Sequence, residues 1–119
     1  MQYSTAKTAT QLLFVYGSLK RGQANHEQLR SAEYLSRART AACFALRVIE
    51  GYPALVPGTR AIEGELYRIG ASALHLLDEF EGPGYVRREV ELDGNQRALA
   101  YLAVAPDAGA TYSGDDWIG

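Results

Sequence analysis

Apolar residues recur along this chain in short runs, most of which alternate with polar positions rather than following helical spacing. Leu12-Leu13-Phe14-Val15-Tyr16 is uninterrupted, as in a strand covered on both faces. Residues 62–69 alternate, with Ile62, Gly64, Leu66 and Arg68 on one face and Glu63, Glu65, Tyr67 and Ile69 on the other. Neither face is cleanly polar, so both sides of this strand are expected to be partly covered. Residues 33–39 and 42–49 read as further strands. Tyr52-Pro53 and Pro57-Gly58 read as turns bracketing the apolar piece Ala54-Leu55-Val56. Residues 86–92 and 97–104 form a predicted hairpin around Asp93-Gly94-Asn95-Gln96.

One helix stands out, over residues 72–80. Ala73, Leu74, Leu77 and Phe80 fall on one face at helical spacing, while Asp78 and Glu79 face away. Gly82-Pro83-Gly84 ends it. Residues 25–30 predict a short helix, with Asn25 as cap and Gln28 three positions on. Residues 106–119 are rich in Gly, Asp and Ala and read as a loose tail that Tyr112 and Trp117 would dock. The chain thus divides into an N-terminal segment (1–11), one domain (12–105) and a C-terminal tail (106–119). Many short strands with one main helix predict an α+β domain built on a curved or closed sheet.

Composition narrows the function classes. At 119 residues, 47% hydrophobic and 22% charged, the chain has the makeup of one ordinary globular domain. A net charge of −2 provides no electrostatic footprint for nucleic acid or an anionic membrane. No apolar run reaches the ~20 residues of a membrane span, and residues 1–10 lack the apolar core of a signal peptide. Cys43 is the single cysteine, which excludes an internal disulfide and a thiolate metal cluster. A cytoplasmic protein is the expectation.

Candidate chemistry concentrates after the first strand, in Phe14-Val15-Tyr16-Gly17-Ser18-Leu19-Lys20-Arg21-Gly22. A glycine-flanked loop of this kind aims main-chain N–H groups at one anion, and Gly17 is expected to supply a left-handed backbone conformation or a close ligand approach. Gly17 and Gly22 have the spacing of P-loop glycines, but Gln23 and Ala24 stand where that motif needs Lys and then Ser or Thr. A carboxylate is therefore the better anion, with a plain tight turn as the alternative. Glu81, between the helix's apolar face and a Gly-Pro-Gly break, is either a surface carboxylate or an acid–base group raised by partial desolvation. His26 and His75 fit no HExxH pattern, Ser18 lies in no G-x-S-x-G elbow, and Glu63 with Glu65 make only a weak glycosidase dyad.

The run 14–22 followed by Asn25-His26, then Gly64-Glu65-Leu66-Tyr67, then Leu77-Asp78-Glu79-Phe80-Glu81-Gly82 with Tyr85, resembles the ordered motifs of the γ-glutamylcyclotransferase-like (AIG2-like) family. Lys20-Arg21-Gly22 with Asn25-His26 is most similar to its γ-glutamylamine cyclotransferase branch. The resemblance implies a small mixed β-barrel with flanking helices and release of 5-oxoproline from γ-glutamyl compounds. It maps the substrate loop onto Tyr16, Gly17, Ser18 and Leu19 and the acid–base carboxylate onto Glu81, and it implies neither a metal nor an organic cofactor. Tyr85 would shape the pocket or serve as a core tyrosine. A module that keeps the pocket and binds a small carboxylate or γ-glutamyl-like group without catalysis is the alternative class.

Overall fold

Strand β1 (Thr10–Val15) runs through the middle of the sheet, as its uninterrupted apolar sequence requires. Phe14, with Tyr16 just beyond the strand, enters one core cluster; Leu13 and Val15 enter another. This is the period-two alternation of a strand covered on both faces. The computed structural model of the protein describes residues 9–118. The expected N-terminal segment lies almost wholly outside them, except that Thr10 and Gln11 already belong to β1.

The other strands are β2 (Glu33–Arg39), β3 (Phe44–Ile49), β4 (Tyr52–Pro57), β5 (Glu63–Gly70), β6 (Tyr85–Glu91), β7 (Arg97–Ala103) and β8 (Ala110–Tyr112). They form one mixed sheet in the order β2-β5-β1-β7-β4-β3-β8, with β6 on β7, and the sheet curls into a half-barrel. The cluster holding Phe14, Leu46, Leu55, Ile62, Leu66 and Leu92 contains no helical residue and fills the curl. The second cluster packs Leu13, Val15, Tyr67 and Ile69 against Leu74 and Leu77 of helix α1 (Ala71–Glu81) and Leu29 of a 3-10 turn (His26–Leu29). Burying leucines such as Leu74 and Leu77 stabilises the helix's seat by about 1.5–3 kcal/mol each. Gly82, at φ 79, ends the helix and returns its N–H to the Asp78 carbonyl. Among the described residues no helix is long and apolar enough to cross a membrane.

Strand β7 creates the fork that holds the site. Strand β6 pairs along its whole length, so β1 and β4 share its other edge. Strand β1 meets it at Leu13↔Leu99 and β4 at Leu55↔Leu102. As β1 leaves and β4 arrives, the hydroxyl of Tyr16 fills the gap: it donates to the Tyr101 carbonyl (2.6 Å) and accepts from the Leu55 N–H (3.0 Å).

Several expectations change. The segment 106–119 is not a loose tail: β8 pairs with β3, and Arg47 of β3 donates to the carbonyls of Asp107, Ala108 and Gly109. Tyr52-Pro53 and Pro57-Gly58 are not turns flanking a short piece; Tyr52–Pro57 is one strand with prolines near its ends. The turn before it is Glu50-Gly51, with both residues at positive φ (53 and 86) as in a type I′ hairpin. Asn25 caps no helix through its side chain. Asp78 does not face away: it accepts from the Tyr101 hydroxyl and lies 3.5 Å from Arg87. Phe80 leaves the core face and is 43% exposed.

Candidate active site

The loop leaving β1 is held by its own carbonyls. Gly17 C=O accepts from the Lys20 N–H (3.0 Å) and Ser18 C=O from the Asn25 N–H (2.9 Å). Leu19 C=O lies 2.9 Å from His26 Nδ1, and because a carbonyl only accepts, that nitrogen carries the proton. The Asn25 side-chain amide donates to Ser18 Oγ at 3.0 Å. The Asn25-His26 pair is thus a brace on residues 18 and 19 rather than the start of a capped helix.

Gly17 is required for a different reason than backbone handedness. It is absent from the positive-φ positions, whereas Gly22 is at φ 83. A Cβ on Gly17 would sit 2.4 Å from the Pro53 ring, where the end of β1 passes the start of β4.

The two cations of the segment point away from the cavity. Lys20 Nζ donates to Asp116 Oδ1 and to the Trp117 carbonyl, both at 2.7 Å. The Arg21 N–H donates to Glu65 Oε1 (3.0 Å), which also accepts from the Tyr67 hydroxyl (2.9 Å). The Arg21 guanidinium lies 3.7 Å from the centre of the Tyr34 ring. Glu65, 9% exposed, is therefore a partnered anchor of the loop, not half of an acid pair with Glu63.

Between this loop and the end of α1 lies a cavity of about 310 Å³. Tyr16, Gly17, Ser18, Leu19, Glu81 and Tyr85 all line it, so every candidate site residue converges there. Asn25, Tyr52, Pro53, Phe80 and Tyr101 join them. Burial pushes the Glu81 carboxyl from its ordinary 4.5 up to about 7. Tyr16 is raised by burial and by the neighbouring Tyr85 and Glu81, and Tyr85 is pushed to about 12 by burial, then by Glu81 and Tyr52. Tyr85 donates its hydroxyl to the Pro53 carbonyl at 2.9 Å. The sequence did not single out Tyr101, which rises from the Ala-rich run of β7; only the fork of strands brings it to the cavity.

The strand fork of this curled mixed sheet thus holds one small cavity, with a braced loop on one side and a carboxyl raised by burial at a helix end on the other. The chain belongs to the gamma-glutamyl cyclotransferase, AIG2-like family, whose model matches residues 13–119. It is 31% identical to the gamma-L-glutamyl-butirosin B gamma-glutamyl cyclotransferase of Niallia circulans, over 89% of this chain and 69% of that protein. It is 44% identical to the human gamma-glutamylaminecyclotransferase over 66% of this chain and 59% of the relative, so it spans about three fifths of the human protein. The crystal structure of an AIG2-like protein from Mus musculus superposes with a TM-score of 0.78 at 28% identity, over 92% of this chain and 88% of that one.

Proposed function

We propose that the protein releases 5-oxoproline from γ-glutamyl amines by intramolecular cyclisation. The observation that carries this reading is Glu81: a carboxyl in the cavity wall, facing no cation there among the described residues and raised to about 7 by burial. A group of that pKa takes and returns protons near neutrality.

The loop supplies the opposite pole. The carbonyls of Gly17 and Ser18 are tied back to the 20–26 segment. A trans peptide sets its N–H on the edge opposite its C=O, which turns the Ser18 and Leu19 N–H groups away from that segment. These donors suit the substrate's α-carboxylate. Asn25 Nδ2 already donates to Ser18 Oγ, leaving the hydroxyl hydrogen for the same carboxylate.

In the reaction the substrate's α-amine attacks its own γ-carbonyl carbon. A carbon–nitrogen bond forms, closing the five-membered ring, and the bond from that carbon to the departing nitrogen breaks. Glu81 accepts the proton that the attacking amine loses and delivers it to the departing amine. Holding the α-carboxylate fixes the attacking nitrogen near the carbonyl, which lowers the entropy cost of ring closure.

The test is 5-oxoproline release from a panel of γ-glutamyl alkylamines, γ-glutamyl dipeptides and glutathione. The expected result is release from the alkylamines with kcat/KM above that for glutathione, and a loss of about 10²–10⁴-fold in Glu81→Gln. Binding of 5-oxoproline without release from any substrate would make the protein a non-catalytic carboxylate binder.

A further inference from the structure

We infer that Tyr52 and Phe80 form the subsite for the departing amine, and that it takes an amine with an alkyl or aryl body and no carboxylate. This rests on the cyclotransferase reading above and identifies the side chains that meet the part of the substrate lost in the reaction.

The aromatic residues that line the cavity are of two kinds. Tyr16 and Tyr101 are 6% and 4% exposed, with hydroxyls committed to the Tyr101 carbonyl and to Asp78. Tyr52 and Phe80 line the same cavity and are 53% and 43% exposed. Holding two large rings half in water is unfavourable, and an apolar ligand between them would recover that surface. The rings come from separate elements, the first residue of β4 and the penultimate residue of α1. Phe80 and Glu81 both line the cavity, so a nitrogen leaving with the Glu81 proton departs into a space whose wall includes this ring. Tyr52 precedes Pro53, whose carbonyl holds Tyr85, and Tyr85 feels the charge of both Glu81 and Tyr52. Leu76, one turn before Phe80 and also exposed, continues the apolar surface outward.

Charge decides what the departing group cannot carry. None of the lining side chains among the described residues is cationic. The candidate cations are engaged elsewhere: Lys20 with Asp116, Arg21 with Glu65, Arg87 with Asp78. A carboxylate on the departing amine would meet Glu81 with no counter-charge.

The experiment compares γ-glutamyl methylamide, γ-glutamyl n-butylamide and γ-glutamylnorvaline, the last being the butylamide with a carboxylate added at its first carbon. kcat/KM is measured for wild type, Tyr52→Ala, Phe80→Ala and the double variant. Wild type is expected to prefer butylamide over methylamide about eightfold, roughly twofold per methylene at a half-exposed site. Butylamide should exceed norvaline at least tenfold, and the double variant should bring the butyl-to-methyl ratio within twofold. Equal rates for methylamide and butylamide in wild type, norvaline equal to butylamide, or an unchanged ratio in the double variant would overturn the subsite. The wild-type series alone decides if a variant fails to fold. Should wild type release no 5-oxoproline, the same ligands are titrated calorimetrically. Chain-length-dependent binding then keeps the subsite while the cyclotransferase reading falls, and flat binding removes both.

Discussion

Lys20 Nζ lies 2.7 Å from Asp116 Oδ1, so the loop after the first strand is tied to the chain's far C-terminal region. The Lys20 side chain is only 12% exposed, and its ammonium also serves the Trp117 carbonyl. Trp117 packs on Tyr112 of β8 with ring centres 5.1 Å apart, and Asp115 C=O accepts from the Glu63 N–H at 2.7 Å. The loop after β1 is thereby tied to the C-terminal region by Lys20 and to β5 by Arg21 on Glu65.

Removing the Lys20 tie should be felt at the loop before it is felt at Glu81. Lys20→Met keeps the side chain's length and deletes its donors, leaving the Trp117 carbonyl without that partner. The expected cost is about 1–3 kcal/mol of stability, with KM raised several-fold and kcat changed less. Asp116→Asn should be milder, because the amide can be hydrated at a site 41% exposed. Melting temperature with separate kcat and KM values checks this. No change in either would make the pair one of the surface bridges that contribute little.

Gly17 and Ser18 separate main-chain from side-chain recognition. A Cβ at Gly17 would meet Pro53 Cγ at 2.4 Å, so Gly17→Ala must push the end of β1 off β4 and reshape the loop. Ser18→Ala deletes one hydroxyl and leaves the N–H groups in place, a loss of about 1 kcal/mol for one neutral hydrogen bond. Calorimetry with 5-oxoproline is expected to show a loss above tenfold for Gly17→Ala and a smaller loss for Ser18→Ala. A larger loss for Ser18→Ala would transfer recognition from the main chain to the hydroxyl.

The raised Glu81 carboxyl fixes a pH window. In the unfolded chain this glutamate titrates near its ordinary 4.5, and in the fold near 7. Between these values the folded protein keeps a proton that the unfolded chain has lost, so the contribution of Glu81 to stability declines as pH rises through the window. The full effect is at most about 3 kcal/mol. Glu81→Gln is neutral throughout, so its melting temperature should match wild type near pH 4.5 and exceed it at pH 8. In wild type, kcat/KM should fall as pH drops below about 7, where the base is protonated. A pH-independent difference in melting temperature would remove burial as the origin of the shift.

Elements with a sustained period were legible in the sequence. The buried run of β1, the alternation of β5, the β6–β7 hairpin and helix α1 all follow from apolar spacing and from the turn residues 93–96 and 82–84, with ends displaced by one or two residues. What failed was decided by distant residues. Strand β8 is three residues long and exists because β3 offers an open edge and Arg47 gathers the preceding carbonyls. Glu50 at φ 53 is an unusual residue for a type I′ position, so the Pro-containing dipeptides beside it drew the turns to the wrong places. Asp78 lies off the apolar stripe of α1, yet Tyr101 reaches it from β7. The cavity's residues were largely named by motif; that Lys20 and Arg21 brace the loop from outside required the fold.

Tyr16 offers the sharpest check of the strand fork. Its hydroxyl is both donor to the Tyr101 carbonyl and acceptor from the Leu55 N–H, standing in for a ladder bond where β4 and β7 diverge. Tyr16→Phe preserves the ring and its stacking on Phe14, with ring centres 6.4 Å apart. It leaves these two backbone groups without the hydroxyl in a buried place, at about 1–3 kcal/mol for each group left unsatisfied. Urea unfolding should therefore show a clearly lowered midpoint with an unchanged slope, since the surface exposed on unfolding is the same. The cavity wall that Tyr16 lines should loosen as well, weakening 5-oxoproline binding less than Gly17→Ala does. A midpoint equal to wild type would mean that Leu55 and Tyr101 pair directly once the hydroxyl is gone, and that the fork closes without it.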